Sequence, residues 1–219
     1  MLLNLKHMNA QNIIDKLNWR YATKAFDASR KLSAEQLEHL LSAVQLAPSS
    51  YGLQPYKVLV VSNPEVREKL KAAAYNQTQI TDASEIIVFA TYKDFNLSHV
   101  DDFANNIVAT RGITKADIQG YIDVMNGAVS SRDQQQLQIW NTRQAYIGLG
   151  ILLETAALLD IDACPMEGFS VEQFDDILGL SALNLTSVVV TAVGYRSAED
   201  GYQHYKKVRK SKEDLFIKI

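Results

Sequence analysis

Residues 135–169, QQLQIWNTRQAYIGLGILLETAALLDIDACPMEGF, carry the organisation of the chain. Leu137, Trp140, Gln144, Gly148, Ile151, Thr155 and Leu158 recur at spacings of three and four, which predicts a helix from Gln135 to Asp160. Between Ala145 and Leu159 only Glu154 and Thr155 are clearly polar, so the second half is apolar nearly all round. Such a helix is buried on most sides, within a domain or between subunits. Gly148, Gly150, Ala156 and Ala157 leave room for another backbone to approach. After Leu159-Asp160-Ile161-Asp162 comes Ala163-Cys164-Pro165-Met166-Glu167-Gly168-Phe169, and its Pro-x-Glu-Gly turn is the expected seat of the chemistry.

Working outward, Leu97–Arg111 and Lys115–Ser130 read as two less apolar helices, and Val171–Leu178 as a short one. Ser33 with Gln36 forms a capping box opening a helix to Leu46. Asn63-Pro64 opens another to about Ala74, and Asn9–Leu17 is a further short helix. Tyr56–Ser62 holds the run Val58-Leu59-Val60-Val61, which predicts a strand buried on both faces. Ile86–Thr91 and Leu185–Val193 complete three predicted strands. Trp19–Asp27, Pro48–Pro55 and Gly194–Gln203 read as extended or loop segments, and Tyr75–Asp82 as a polar connection. The pattern is α+β with helix dominant, in a single domain over residues 1–219 without repeats.

The net charge of −3 argues against bulk nucleic-acid binding. One cysteine excludes an internal disulfide framework and fits a reducing compartment; Cys164 reads as structural. His7, His39, His99 and His204 are scattered, so no metal site is expected. There is no Gly-x-Gly-x-x-Gly after a strand, no P-loop and no His-Glu-x-x-His. Glu154 and Thr155 interrupt the longest apolar run, so no membrane span is expected. No secretory signal is visible, and the cytoplasm is the expected location.

Four constellations could carry chemistry. Arg20 and Lys24 lie four apart. Lys206, Lys207, Arg209, Lys210 and Lys212 form a solvated tail, a nucleic-acid patch for which this acidic chain offers too little charge, or, with Arg20, an anion site in which Arg acts as a bidentate fork on phosphate. Pro48–Pro55 offers hydroxyls and amides, or is an ordinary loop. Asn76-Gln77-Thr78-Gln79 offers amides that cap a helix or read the edge of a heterocycle.

Taken in order, these segments resemble the flavin-dependent nitroreductase family over almost the whole chain. Arg20-Tyr21-Ala22-Thr23-Lys24-Ala25-Phe26 is similar to its Arg-x-Ser-x-Lys-x-Phe segment, and Pro48-Ser49-Ser50-Tyr51-Gly52-Leu53-Gln54-Pro55-Tyr56 to its Pro-Ser-Ser-x-x-x-Gln-Pro-Trp loop. Asn76–Gln79, Gln144-Ala145-Tyr146, Pro165-Met166-Glu167-Gly168 and Lys207-Val208-Arg209 follow at matching places. The resemblance implies a three-layer α+β sandwich, helices around a small mixed sheet, that works as an intertwined homodimer. The central helix would pack on its twin, and Leu215–Ile219 would extend onto the partner's sheet.

It also implies FMN bound at the dimer interface. Arg20, Lys207 and Arg209 would hold its phosphate, with Tyr21 and Ala22 alongside. Lys24 would approach N1 and O2 of the ring, and Asn76 and Gln79 its edge. Pro165, Met166, Glu167 and Gly168 would line one face, the Glu167 amide near N5. Pro48, Ser49, Ser50, Gly52 and Leu53 would close the site from the other subunit. Ala22 stands where Ser is common and Gln79 where some members have Lys, so the redox tuning is this chain's own. Lys115–Ser130 matches the variable substrate region, with Tyr121 and Ile122 expected on the pocket.

The implied activity is ping-pong transfer of hydride from NADPH or NADH through FMN to nitroaromatic, quinone, free flavin or pteridine acceptors, with no protein nucleophile. A dihydropteridine reductase, a flavin-consuming or dehalogenating enzyme, and a non-catalytic FMN-binding or regulatory protein are the other classes left open.

Overall fold

Asp133 opens the central helix. Its carboxylate accepts the Gln136 N–H at 2.7 Å while Gln136 Oε1 accepts the Asp133 N–H at 3.0 Å. The computed structural model describes residues 10–219; Asn9, the expected start of the first helix, and His7 lie outside the described residues. In chain order the elements are α1 (Ala10–Trp19), α2 (Ala34–Gln45), β1 (Tyr56–Val61), α3 (Pro64–Ala73), α4 (Gln79–Asp82), β2 (Glu85–Tyr92), α5 (Leu97–Arg111), α6 (Gln119–Ser130), α7 (Gln134–Leu158), β3 (Asp162–Met166), α8 (Val171–Leu178), β4 (Leu185–Gly194) and α9 (Lys212–Leu215).

The central helix α7 buries more than the expected stripe. Leu137, Trp140, Gln144 and Gly148 are buried as predicted, but Ile151, Thr155 and Leu158 are only half-buried. A second buried row, Asn141, Ala145, Leu149, Leu152 and Ala156, lies against the sheet. Gly148 allows a close approach there: a Cβ would stand 3.0 Å from the Tyr56 hydroxyl and 3.2 Å from the Phe89 ring, so those side chains would have to give way. Ile139 and Ile147 remain exposed on the outer side.

The sheet has the order β1-β2-β4-β3, and every pairing is antiparallel. Among the described residues the sheet thus has four strands rather than the three expected, and those four are not mixed. The unforeseen strand is β3, which takes in Pro165 and Met166 of the expected turn. Pro165 sits on an edge strand, where its missing N–H can face away from the ladder. The Cys-Pro pair disguised this strand in the sequence. β1 is the other edge; Lys57 is exposed and Val58, Leu59 and Val60 are half-buried, so it is not buried on both faces.

Three layers follow from the alternation of side chains. Ile87, Phe89, Val189 and Val193 meet α7 and α2, with Leu40, Val44, Leu149 and Leu152. Ile86, Val88, Val190 and Ala192 meet α3 and α8, with Leu70, Ala73 and Phe174. A separate cluster joins α5, α6 and the start of α7 through Phe95, Met125, Leu137 and Trp140. The predicted helix from Lys115 begins instead with a 3-10 turn, Ala116–Ile118, and the connection before β2 contains the short α4. Among the described residues no helix is long and apolar enough to cross a membrane.

Candidate functional site

The segment after α1 is held in place by two buried carboxylates. Asp200 accepts the backbone N–H of Lys24 at 2.7 Å and of Ala25 at 3.1 Å, the Tyr21 hydroxyl at 2.9 Å and the Tyr202 N–H at 3.0 Å. Burial alone would raise its pKa, but the Ala25, Lys24 and Tyr202 N–H groups and the Tyr21 hydroxyl together lower it, so the carboxylate stays ionised. Asp162 accepts the Arg196 N–H at 2.8 Å and pairs with its guanidinium at 2.6 Å. That guanidinium lies between the rings of Trp19 and Tyr21, at 4.2 and 4.6 Å. Ala22 bridges to Ala163, which brings the segment alongside β3.

This scaffold presents a cavity of about 350 Å³ whose lining includes Arg20, Tyr21, Ala22, Lys24, Lys207 and Arg209. Six of the expected ligand residues, drawn from the two ends of the chain, therefore meet in one place. Lys207 Nζ donates to the Arg20 carbonyl. Burial and then the neighbouring Arg209 lower the Arg20 pKa; burial, Arg20 and Arg209 lower that of Lys207. Three cations thus repel one another in a lining that, among the described residues, contains no carboxylate, and Arg20 Nε is buried with no hydrogen-bond partner among those residues. Such a cluster is satisfied by an oxyanion, and a phosphate fits it. Cys164 lies buried behind this wall; burial raises its pKa against the pull of Lys24 and Arg20, so it stays a neutral thiol.

The end of β3 forms the second part. Gln77 Nε2 donates to the Gly168 carbonyl at 2.7 Å and to the Ala74 carbonyl at 3.0 Å, joining the Asn76–Gln79 segment to the Pro165–Gly168 stretch. Tyr75 and Asn76 are successive left-handed residues, at φ +54° and +59°. A bulky residue in that region is strained, and strain of this kind concentrates at functional loops. Asn76 is exposed and Gln79 is buried at the start of α4. The Tyr146 hydroxyl donates to the Glu167 carboxylate; burial first, then Glu167, push its pKa up to about 12. Met166 points into the core beside Val190 and Phe174, so only its backbone is available to a ligand.

Pro48, Ser49, Ser50, Gly52 and Leu53 do not join this cavity. Their loop lies against the middle of α7, where Gln144 Oε1 accepts the Ser50 N–H at 2.8 Å. Gly52 has φ +80°, and a Cβ there would meet the Phe103 ring at 2.9 Å. Gly52 and Leu53 line a larger groove of about 690 Å³ between α2, the β1 edge and α5. Of the two residues expected on the substrate pocket, Ile122 is buried in the core, while the Tyr121 hydroxyl donates to the Tyr51 carbonyl at 2.8 Å.

Gln77 was marked in the sequence only as one amide of the Asn76–Gln79 run, whereas Asp200, Asp162 and Arg196 escaped the sequence reading. They support the site from positions that no local motif marks, since each works through a backbone distant in sequence. Only Asp200 carried a hint, as the acidic residue just ahead of the basic tail.

Residues 17–195 match the model of the nitroreductase family. A provisionally named NAD(P)H nitroreductase of Staphylococcus aureus (strain USA300) is 34% identical over 219 residues, covering 96% of each chain. Among solved structures, a provisionally named nitroreductase of Bacillus subtilis superposes with a TM-score of 0.86 at 22% identity, over 96% of this chain and 100% of that one. A provisionally named nitroreductase of Exiguobacterium sibiricum, crystallised in complex with FMN, superposes with a TM-score of 0.80 at 19% identity, over 97% of this chain and 98% of the other.

Proposed function

The chain belongs to the nitroreductase family, and we propose that it is an FMN-dependent oxidoreductase that takes electrons from NADH or NADPH and passes them to nitroaromatic, quinone or flavin acceptors in alternating half-reactions. The observation that carries this reading is the convergence of Arg20, Lys207 and Arg209 on one carboxylate-free cavity. Bound FMN would supply the two-electron chemistry, which no side chain here can perform. The residues bind and orient. Arg20, Lys207 and Arg209 hold the phosphate, Lys24 offers a cation to the pyrimidine edge, and Asn76 and Gln79 offer amides. The exposed Glu167 and Gly168 present backbone N–H groups beside the ring, held by Gln77 and Tyr146. With Gln79 in place of a second cation, Lys24 carries the electrostatic support of the reduced ring alone. A single cysteine suits the reducing cytoplasm.

Anaerobic addition of NADPH or NADH to the purified yellow protein tests the reading. The visible flavin absorbance should bleach within seconds and return on adding a quinone or nitroaromatic. A yellow protein whose spectrum neither dinucleotide changes would be a binder and not an enzyme.

The assembly we propose is a homodimer that completes the site. Ile147, Ile151 and Leu159 leave the outer side of α7 apolar, which favours a second copy there. The Pro48–Leu53 loop lies outside the phosphate cavity of its own chain and would close that of the partner. Leu215, Phe216, Ile217 and Ile219 are exposed, and the free β1 edge faces the 690 Å³ groove, which offers the tail of the second copy a strand to pair with. Light scattering at micromolar concentration should give about twice the 24.5 kDa chain mass. A monomer that retains FMN would contradict the shared site.

A further inference from the structure

A cavity of about 420 Å³ opens where α6 gives way to α7, lined by Ser131, Arg132, Gln136, Ile139, Trp140 and Arg143. The lining holds two guanidinium groups and no carboxylate. Asp133, next in sequence to Arg132, is engaged in capping α7. Arg132 is half-buried; its guanidinium lies 4.8 Å over the Trp140 ring, and one N–H donates to the Ala128 carbonyl. A planar guanidinium fixed against an indole keeps its other N–H groups aligned as a fork for an oxyanion. Arg143 is exposed one turn of helix beyond Ile139, and no ion pair joins it to a carboxylate among the described residues.

The place of this cavity gives it meaning. Trp140 meets the Tyr51 ring edge-on at 6.4 Å, and Gln144, one turn further along α7, holds Ser50. Tyr51 and Ser50 belong to the loop assigned above to closing the flavin site. One indole therefore separates the paired arginines from that loop. The cavity also lies N-terminal to the apolar Ala145–Leu159 half of α7, at the rim of the proposed dimer face.

We propose that Arg132 and Arg143 bind a phosphate or carboxylate on the far end of a substrate whose reacting end lies at the flavin, an inference that rests on the function proposed above. The oxyanion could belong to the reduced dinucleotide or to an acidic acceptor; the chemistry of recognition is the same.

The test uses Arg143→Gln, an exposed position whose change spares the core, and the double variant with Arg132→Gln. KM is measured for NADPH and NADH, and for 4-nitrobenzoate against the neutral 4-nitrobenzyl alcohol. KM for the dinucleotides or for the acid should rise about tenfold in Arg143→Gln, the scale of one charge-assisted hydrogen bond, while the alcohol stays within about twofold. Which of the two rises identifies the source of the oxyanion. Unchanged values throughout, or an equal rise for the neutral alcohol, would overturn the proposal. Calorimetric titration of pyrophosphate and of 4-nitrobenzoate into the resting protein reads the cavity without turnover; the heat should fall in the variants, and equal heats would overturn the cavity alone. Absence of turnover in the wild type would count against the flavin reading alone. An Arg143→Gln protein that falls to monomer mass would mean that the arginine serves the partner subunit, and would also overturn the proposal.

Discussion

Arg209→Ala weakens FMN binding by roughly 1.5–3 kcal/mol, the usual worth of a hydrogen bond to a charged group, or about 10- to 150-fold in Kd. The expectation rests on the cluster and not on one contact. Burial, and then the neighbouring cations, lower the pKa of Arg20 and of Lys207, and Arg209 is one of those neighbours in both cases, so the cluster favours an anion that a phosphate would supply. Arg209 is the member to remove because it is exposed and its guanidinium donates to the adjacent Val208 carbonyl, so truncation leaves the core intact. Arg20, with its buried Nε, is a poorer choice, since its loss would also disturb the packing behind it. Riboflavin, which lacks the phosphate, should lose almost nothing. Fluorescence titration of both flavins into apoprotein makes the comparison. Equal losses for the two would move Arg209 out of the phosphate site.

The largest effect on stability is expected from Arg67, a residue outside the ligand-binding set. Its guanidinium is buried, with a residue exposure of 5%, and donates to four backbone carbonyls: Ile80 at 2.7 Å, Ser84 at 2.9 Å, Thr81 at 3.1 Å and Ala83 at 2.6 Å. Those carbonyls belong to α4 and the turn into β2, where a short helix leaves its acceptors without intrahelical donors. Leaving a buried acceptor unmade costs about 1–3 kcal/mol, and water admitted by truncation recovers part of it. Arg67→Ala should therefore destabilise by about 3–4 kcal/mol, or on the order of 10 °C in Tm for a chain of this size. Arg67→Lys should recover less than half, because one ammonium cannot reach four divergent carbonyls. Thermal unfolding followed by circular dichroism decides the matter. An Ala variant melting within about 2 °C of wild type would show that water satisfies the carbonyls and that Arg67 is no clamp.

Much of this molecule was legible before folding. The long helix announced itself by a second half that is apolar nearly all round, and helices α5 and α8 were read at their observed limits, because caps and periodicity are local properties of the chain. The segments that build the site were also marked, since cations, paired amides and a Pro-x-Glu-Gly run stand out by residue type alone. Strand β3 was not legible. It is five residues long, contains Pro165, and is a strand only because β4 offers it a partner. The antiparallel order of the sheet was hidden for the same reason: strand direction depends on which neighbours pair, and pairing is not local.

The site divides in the same way. Sequence by itself determined the chemistry on offer: Arg20, Lys207 and Arg209 as cations, Asn76 and Gln79 as amides, Glu167 and Gly168 as a polar turn. Only the tertiary structure decided that Arg20 and Lys207, at opposite ends of the chain, touch. It also decided that Met166 faces the core, that Ile122 does too, and that Gln77 rather than a nearer residue holds Gly168. The buried carboxylates Asp162 and Asp200 make the first of these contacts possible, each bonding to backbone or side chains far away in sequence. The physical reason is that an isolated residue type fixes what it can bond to, whereas its partner is chosen by the burial of everything around it.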